Sequence, residues 1–175
     1  GLVPLDLQGD YDQPITRQEF CRLAVALVEV TREQTIAQVL SDKGVSTADQ
    51  SFTDTSDLYV LQCSALGIVN GYEDGSFVPN GNITRQEAAK MLYETAKVLG
   101  LSSGGTDLAY SDTSRIMPYA INAVKFVTGQ GVMNGVGSNT FAPTGLYTRE
   151  QAYVTFDRLR RELQQTGTGG ALSAT

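Results

Sequence analysis

The 175-residue chain contains no histidine and no tryptophan, and only two cysteines, Cys21 and Cys63. Without histidine, the chain lacks the base of Ser-His-Asp and Cys-His catalysis and the commonest protein ligand for transition metals. Two cysteines do not make a disulfide framework, and each lies within an apolar helical pattern. The sequence therefore predicts buried free thiols in preference to a disulfide bond, with no metal site and no cofactor.

Basic residues are also scarce. Thirteen Lys and Arg residues stand against nineteen Asp and Glu residues, which gives a net charge of −6 and an isoelectric point near 4.6. This charge argues against nucleic acid and against an anionic membrane surface as partners. No run approaches about 18 apolar residues, so no membrane insertion is predicted, and no signal peptide is visible. Any anion must therefore be bound locally, by arranged donors.

A threonine-arginine motif and a glycine-rich loop recur along the chain. Thr-Arg-Gln-Glu occurs at residues 16–19 and 84–87, and Thr-Arg-Glu-Gln occurs at 148–151. The threonine and the Glu or Gln three positions later predict a capping box, with a helix that begins at the arginine. Gly-Ile-Val-Asn-Gly at 67–71 corresponds to Gly-Val-Met-Asn-Gly at 131–135, and each segment begins 18 residues before an arginine. The chain therefore contains an internal repeat of three units.

One helix–loop–helix hairpin cannot bury its apolar stripe alone, so the three units are predicted to pack about an approximate three-fold axis as an all-α domain. Apolar spacing predicts a helix from Arg17 with a break near Thr31, then a short second helix that ends at Gly44. The first unit lacks its incoming helix, so we expect either that this helix lies upstream of Gly1 or that another chain or segment covers the flank, with self-association as one outcome.

The predicted boundaries follow from these patterns. They are 1–44 for the partial first unit with its extra short helix, 45–51 for a connector, 52–100 for the second unit, 101–109 for a flexible link, 110–163 for the third unit and 164–175 for a disordered tail. Phe-Thr-Asp at 52–54 and Tyr-Ser-Asp at 110–112 open the second and third units.

The three arginines of the repeated motif are Arg17, Arg85 and Arg149. At the first helical position the helix dipole disfavours a cation by about 0.3–1 kcal/mol, whereas a charge-assisted hydrogen bond contributes about 1.5–3 kcal/mol. Each arginine is therefore expected to have an acidic partner. Two interpretations stay open: the partner is an internal acid such as Asp54 or Asp112, or it is a carboxylate or phosphate ligand held by the guanidinium and by free amides of the helix start.

Acidic pairs raise two further possibilities. A glycoside hydrolase needs two carboxylates across a cleft, but Glu73 and Asp74 resemble turn residues, and Glu19 and Glu87 resemble capping partners. We therefore predict no enzymatic activity. Asp74-Gly75 begins like a calcium loop, but the alternate carboxylates and the closing glutamate of an EF-hand are absent. The Asp-Gly pair is predicted to form a turn.

Taken together, Phe-x-Asp, a short helix, Gly-Ile-Val-x-Gly, Asp-Gly-x-Phe-x-Pro and Ile-Thr-Arg-x-Glu resemble the signature of S-layer homology (SLH) repeats. The resemblance covers about residues 1–163, with two full copies and one partial copy. It implies a three-pronged all-α spindle with grooves between neighbouring units. It also implies an extracellular place at a bacterial cell wall or S-layer, and non-catalytic anchoring to secondary cell-wall polysaccharide, often pyruvylated, or to another peptidoglycan-linked glycan.

Carried over to this sequence, the resemblance implies a set of ligand-binding residues: Arg17, Arg85, Arg149, Gly67, Gly71, Gly131 and Gly135. Many family members also have a tryptophan in the incoming helix that packs on sugar. This chain has none, and Tyr119 stands near that place in the third unit. The incomplete first unit motivates an alternative from another class, a protein–protein assembly module built from a degenerate triplet.

Overall fold

The computed structural model describes residues 1–167. Over that range the chain forms six α-helices and no β-sheet: α1 (Arg17–Arg32), α2 (Ile36–Lys43), α3 (Leu58–Ala65), α4 (Arg85–Val98), α5 (Ile121–Gly129) and α6 (Arg149–Gln165). Short 3-10 helices lie at Leu5–Leu7, Thr47–Asp49, Thr113–Arg115 and Pro118–Ala120. The all-α prediction is confirmed.

The unit boundaries stay predictions, with one addition at the end of the third unit. Helix α6 continues to Gln165, so it enters the segment 164–175 that was predicted as a disordered tail. Residues 168–175 of that segment lie outside the described residues. In the predicted link at 101–109, Leu101 is buried and the Thr106 amide donates to Lys125 O of α5.

Threonine caps begin the three long helices. The hydroxyls of Thr16, Thr84 and Thr148 accept hydrogen bonds from the amides three residues later. In α1 and α6 the reciprocal bond also forms, from the cap amide to Glu19 or Gln151. The predicted helix starts are confirmed. The capping box predicted for α4 is incomplete, because Glu87 Oε1 accepts from the Thr84 hydroxyl at 2.8 Å and not from the Thr84 amide.

The first unit breaks where the sequence predicted. Helix α1 ends at Arg32, the next residue, Glu33, has a left-handed φ of +54°, and α2 begins with a second capping box between Thr35 and Gln38. Gly44, at φ +69°, ends α2. Glycine adopts this conformation at the least steric cost, which explains the stop.

A ring of three backbone hydrogen bonds closes at the centre of the molecule. The Ile15 amide donates to Tyr147 O at 2.8 Å, the Tyr147 amide to Ile83 O at 3.0 Å, and the Ile83 amide to Ile15 O at 3.2 Å. All three residues are buried. Each stands two positions before the arginine that begins its own long helix, so the ring relates the three units by an approximate three-fold axis.

Around this ring, the first amides of each long helix donate to a neighbouring unit. The amides of Arg17, Arg85 and Arg149 donate, each at 2.9 Å, to carbonyls of the second, third and first units respectively. The acceptors are the carbonyl oxygens of Gly81, Gly145 and Gln13. The amides one residue later do the same, so helix starts that would otherwise be unsatisfied hold the units together.

Apolar packing follows the same cyclic order: α3 packs on α1, and α5 packs on α4. On α6 the apolar residues Phe156, Leu159 and Leu163 are fully buried and Val154 is 42% exposed, while Leu2 and Val3 pack against the core. These three side chains of α6 are thus covered within residues 1–167, which fits the expectation that a segment covers this flank. Self-association stays a prediction.

The two cysteines face each other across the α1–α3 contact. Both are buried and free, and the Cys63 thiol donates to Cys21 O at 3.5 Å. Burial raises the pKa of the Cys63 thiol, because the thiolate would be cut off from water. The prediction of buried free thiols is confirmed.

Asp54 and Asp112, which follow the aromatic residues that open the second and third units, hold the loop of their own unit. The Asp54 carboxylate accepts from the amides of Phe77 and Val78, each at 2.8 Å. In the third unit Asp112 binds the two equivalent amides, each at 2.9 Å. Val78 has a left-handed φ of +57°, which is rare for a β-branched residue, and the paired bonds hold it there.

The second glycine of each loop is required by a close approach. A Cβ at Gly71 would lie 2.6 Å from the Phe52 ring and 2.8 Å from Ser76 O. In the third unit a Cβ at Gly135 would lie 2.7 Å from a backbone oxygen. Between Gly71 and Ser76 the loop forms the predicted Asp-Gly turn, in which the Asp74 carboxylate accepts from the Ser76 amide at 3.0 Å.

The two loop aspartates, Asp54 and Asp112, are expected to make the stability of the fold sensitive to acid. Hydrogen bonds from the Phe77 and Val78 amides lower the pKa of Asp54. Burial opposes the same shift at Asp112, but two amide bonds outweigh it and lower that pKa too. A folded-state pKa below the unfolded value of about 3.9 means that the stabilisation is present above that pH and is lost as the pH falls through the folded pKa.

We expect the double variant Asp54→Asn with Asp112→Asn to have a lower Tm at pH 7 and a smaller further loss of Tm between about pH 5 and about pH 2.5. Circular dichroism melts at a series of pH values measure both. Asp49→Asn is the control, since Asp49 is exposed and its side chain makes no hydrogen bond within residues 1–167. A double variant with the acid response of the parent would contradict this account.

A second prediction concerns the close approach at Gly71. Gly71→Ala should lower the free energy of unfolding by about 1–3 kcal/mol, because the new methyl group meets a backbone oxygen that cannot turn away. Gly105→Ala is the matched control, since its nearest neighbour would be at 3.6 Å, an ordinary contact. Urea unfolding measures both, and equal midpoints for the two variants would refute the steric argument.

Candidate functional site

Arg17 begins α1 and reaches across to the second unit. Its Nε donates to Phe77 O at 2.8 Å, and its Nη1 donates to Glu87 Oε2 at 2.6 Å. The guanidinium lies 4.6 Å from the centre of the Phe77 ring and 5.0 Å from that of Tyr72, within cation–π range. This arginine is buried, and an internal carboxylate balances its charge.

Arg149 makes the equivalent contact from the third unit to the first. Its Nε donates to Glu19 Oε2 at 2.9 Å, its Nη2 lies 2.7 Å from the same oxygen in an ion pair, and its Nη1 donates to Gly9 O at 3.4 Å. Its charge is also balanced within the protein.

Arg85 differs from the other two. Its Nε donates to Phe141 O at 2.7 Å and its Nη2 to Asn134 O at 2.6 Å, and the guanidinium lies 4.9 Å from the Phe141 ring. No carboxylate within residues 1–167 forms an ion pair with it. Burial lowers the pKa of Arg85, since the cation loses water without gaining a full counter-charge.

The third residue of the neighbouring long helix explains the difference. This position is Glu87 opposite Arg17 and Glu19 opposite Arg149, but it is Gln151 in α6, the helix next to Arg85. A glutamate there has two oxygens, one for its own helix cap and one for the arginine. The glutamine keeps the cap through Oε1, at 3.0 Å from the Thr148 amide, and has no second acceptor.

Two sequence-based expectations for the arginines are corrected here. Pairing with Asp54 or Asp112 is wrong, because those carboxylates bind loop amides. The expectation of free amides at the helix starts is also wrong, because these amides donate to carbonyls of the neighbouring unit. Pairing with an internal acid occurs at Arg17 and Arg149, with glutamates that the sequence analysis had assigned only to capping.

The first groove lies between α4, the loop of the second unit and Tyr119, and we call it the Arg17 groove. It has a volume of about 430 Å³. Its lining is Arg17, Ile68, Val69, Asn70, Gly71, Tyr72, Glu87, Lys90, Met91, Glu94 and Tyr119. Tyr72 and Tyr119 are each 49% exposed, so two aromatic rings are open to a ligand in this groove.

Tyr119 comes from the third unit but lines this groove, which the second unit shares with the first. The sequence analysis identified Tyr119 and missed Tyr72. The signal for Tyr72 was its place directly after Gly71 in a loop already assigned to the groove. Glu87 and Glu94 neutralise the two cations of the lining, at 2.6 Å from Arg17 and 2.7 Å from Lys90.

The second groove, the Arg85 groove, occupies the equivalent place between α6 and the loop of the third unit. It has a volume of about 320 Å³. Its lining is Arg85, Met133, Asn134, Gly135, Val136, Tyr147, Glu150, Gln151, Val154, Thr155 and Arg158. Tyr147 is buried and donates to Thr155 Oγ1 at 2.7 Å, and burial raises the pKa of Tyr147 to about 12.

The four predicted glycines divide into two pairs. Gly71 and Gly135 line the Arg17 and Arg85 grooves. Gly67 and Gly131, at φ +77° and +68°, follow α3 and α5 and lie outside both linings. Their part in ligand binding stays a prediction.

Two other kinds of site are absent from residues 1–167. No group of three or more Cys, Asp or Glu side chains is placed to hold a metal ion. No helix in this range is both long enough and apolar enough to cross a bilayer.

Comparison with known proteins finds relatives that match parts of the chain. The chain is 43% identical over 86 residues to cell surface glycoprotein 1 of Acetivibrio thermocellus. The aligned residues are 47% of this chain and 4% of that protein. It is 36% identical over 97 residues to a cellulosome-anchoring protein of the same organism, covering 53% of this chain and 21% of that protein. An endoglucanase of Bacillus sp. strain KSM-635 is 32% identical over 130 residues, covering 70% of this chain and 14% of the enzyme.

The chain thus spans only 4% to 21% of the length of these relatives. The model of the S-layer homology domain matches residues 51–89 and 109–152, the segments that carry the loops and arginines of the second and third units. Through these two repeats, the chain belongs to the S-layer homology family.

Proposed function

We propose that the chain is a non-catalytic module that holds a protein on the surface of a bacterial cell by binding an acidic secondary cell-wall polysaccharide. The observation that carries the proposal is the placement of a guanidinium at each junction between neighbouring units, with open grooves at Arg17 and Arg85. Relatives named as a cell surface glycoprotein and a cellulosome-anchoring protein support the cell-surface part.

The chemistry of the grooves suits a glycan that carries carboxylates, such as pyruvate ketals. Guanidinium groups bind carboxylates with charge-assisted hydrogen bonds, while tyrosine rings offer flat apolar faces to sugar rings. A chain of net charge −6 repels an acidic polymer at long range, so binding must depend on such local contacts.

The glutamates argue against a hydrolytic alternative. Glu19 and Glu87, one of the carboxylate pairs considered as an acid and a base, each bind an arginine of a different unit. They also serve the caps of their own helices. A glycoside hydrolase instead needs two carboxylates that face one sugar linkage.

The alternative of a protein–protein assembly module receives little support from α6, where Phe156, Leu159 and Leu163 are buried and the exposed Val154 lines the Arg85 groove. Size-exclusion chromatography with light scattering separates the two functions. A wall-binding module stays at one mass as concentration rises, whereas the assembly module forms a larger species.

Co-sedimentation with purified bacterial sacculi tests the proposal. We expect the chain to bind sacculi that carry the accessory polysaccharide and to lose binding when the polysaccharide is stripped. Arg85→Ala combined with Arg149→Ala should weaken binding by about tenfold or more, because one charge-assisted hydrogen bond contributes about 1.5–3 kcal/mol.

The matched control is Arg115→Ala combined with Arg161→Ala. It removes the same charge from exposed positions outside both grooves. Equal sedimentation with intact and stripped sacculi would overturn the polysaccharide as ligand. Binding by the Arg85/Arg149 variant at the level of the parent would overturn the role of the arginines.

A further inference from the structure

We infer that the two grooves take different parts of an acidic glycan, with a carboxylate substituent in the Arg85 groove and an uncharged sugar ring in the Arg17 groove. Gln151 is the residue that sets this difference. The inference rests on the proposed function and specifies which groove holds the acidic group.

The charges of the two linings differ. In the Arg17 groove, Arg17 and Lys90 are matched by two carboxylates, each in an ion pair. The lining of the Arg85 groove contains two cations, Arg85 and Arg158, and one carboxylate, Glu150, which is exposed and forms no ion pair within residues 1–167. Asp112 acts on Arg85 from outside the lining without forming an ion pair with it. The lining of the Arg85 groove therefore has an excess of positive charge beside a buried guanidinium.

Two hydrogen-bond donors of the Arg85 groove have no partner in the part of the chain that the structure describes. One is Nη1 of Arg85, whose Nε and Nη2 are already used by backbone carbonyls. The other is Nε2 of Gln151, whose Oε1 accepts from the Thr148 amide. A carboxylate has two acceptor oxygens and no donor, so it suits this pair of donors.

The Arg17 groove supplies the template for this ligand. There Glu87 Oε2 lies 2.6 Å from Nη1 of Arg17, so a carboxylate of the protein fills the place. At the equivalent place beside Arg85 the protein offers an amide. A carboxylate from outside would give Arg85 the partner that Arg17 already has.

The aromatic residues differ in the opposite sense. Tyr72, which follows Gly71, corresponds to Val136, which follows Gly135. With Tyr119, the Arg17 groove has two half-exposed rings around a neutralised arginine. The one aromatic residue of the Arg85 groove lining, Tyr147, is only 1% exposed. The Arg17 groove is therefore the one in which tyrosine rings can stack on an uncharged sugar ring.

A reciprocal exchange of the two residues tests the inference. Glu87→Gln should free Arg17, and Gln151→Glu should neutralise Arg85. Both substitutions place at one unit a residue that another unit already uses with the same cap, so both variants should fold, as circular dichroism melts would verify.

The probes are a methyl glycoside of a uronic acid, its neutral methyl ester and a sugar phosphate, titrated into ¹⁵N-labelled protein and followed by NMR. In the parent, the uronic acid should shift the amides of Gly135 and Val136, and the methyl ester should shift those of Gly71 and Tyr72. Gln151→Glu should weaken the uronic acid binding by about tenfold or more. Glu87→Gln should add a second uronic acid site at Gly71 and Tyr72.

Each remaining outcome overturns a stated part. Uronic acid binding unchanged by Gln151→Glu, present in both grooves of the parent or absent from both would refute the inference. If the parent protein nevertheless sediments with intact sacculi, the proposed function stands without this inference. A parent that binds no sacculi refutes the proposed function itself. Tighter binding of the sugar phosphate than of the uronic acid would show that the Arg85 groove prefers a phosphate to the inferred carboxylate.

Discussion

The ring of hydrogen bonds among Ile15, Ile83 and Tyr147 determines how the three units meet. Each ring residue stands two positions before an arginine, so closing the ring sends each guanidinium over the boundary to a neighbouring unit. The helix amides that follow are then satisfied by that neighbour. The grooves are therefore shared between units, and no single unit contains a complete one.

Local features of this fold could be predicted from sequence, since a capping box needs only four consecutive residues. The helix starts, the break after α1 and the Asp-Gly turn are of this kind. The partners of the arginines could not be predicted in this way, because Arg17 and Glu87 are 70 residues apart and Arg149 and Glu19 are 130 apart. The carbonyls that accept from the helix-start amides could not be predicted either, because they are also far away along the sequence.

The residue three positions after each cap has two roles that the sequence shows as one. Its first oxygen completes the helix start, and its second, when it is a carboxylate, neutralises an arginine of another unit. Gln151 separates these roles, since it keeps the cap and gives up the ion pair. A single change from carboxylate to amide therefore alters the electrostatics of a groove while the backbone around it is retained.

The central ring also bears on when the grooves come into being. Tyr147 follows Ile15 by 132 residues, so the ring is a contact of very high sequence separation, and the entropy of closing so long a loop must be met before it forms. The Arg17 groove is lined in part by Tyr119 of the third unit, and the Arg85 groove by the loop and the long helix of that unit. Both grooves are therefore complete only when the third unit has packed against the other two.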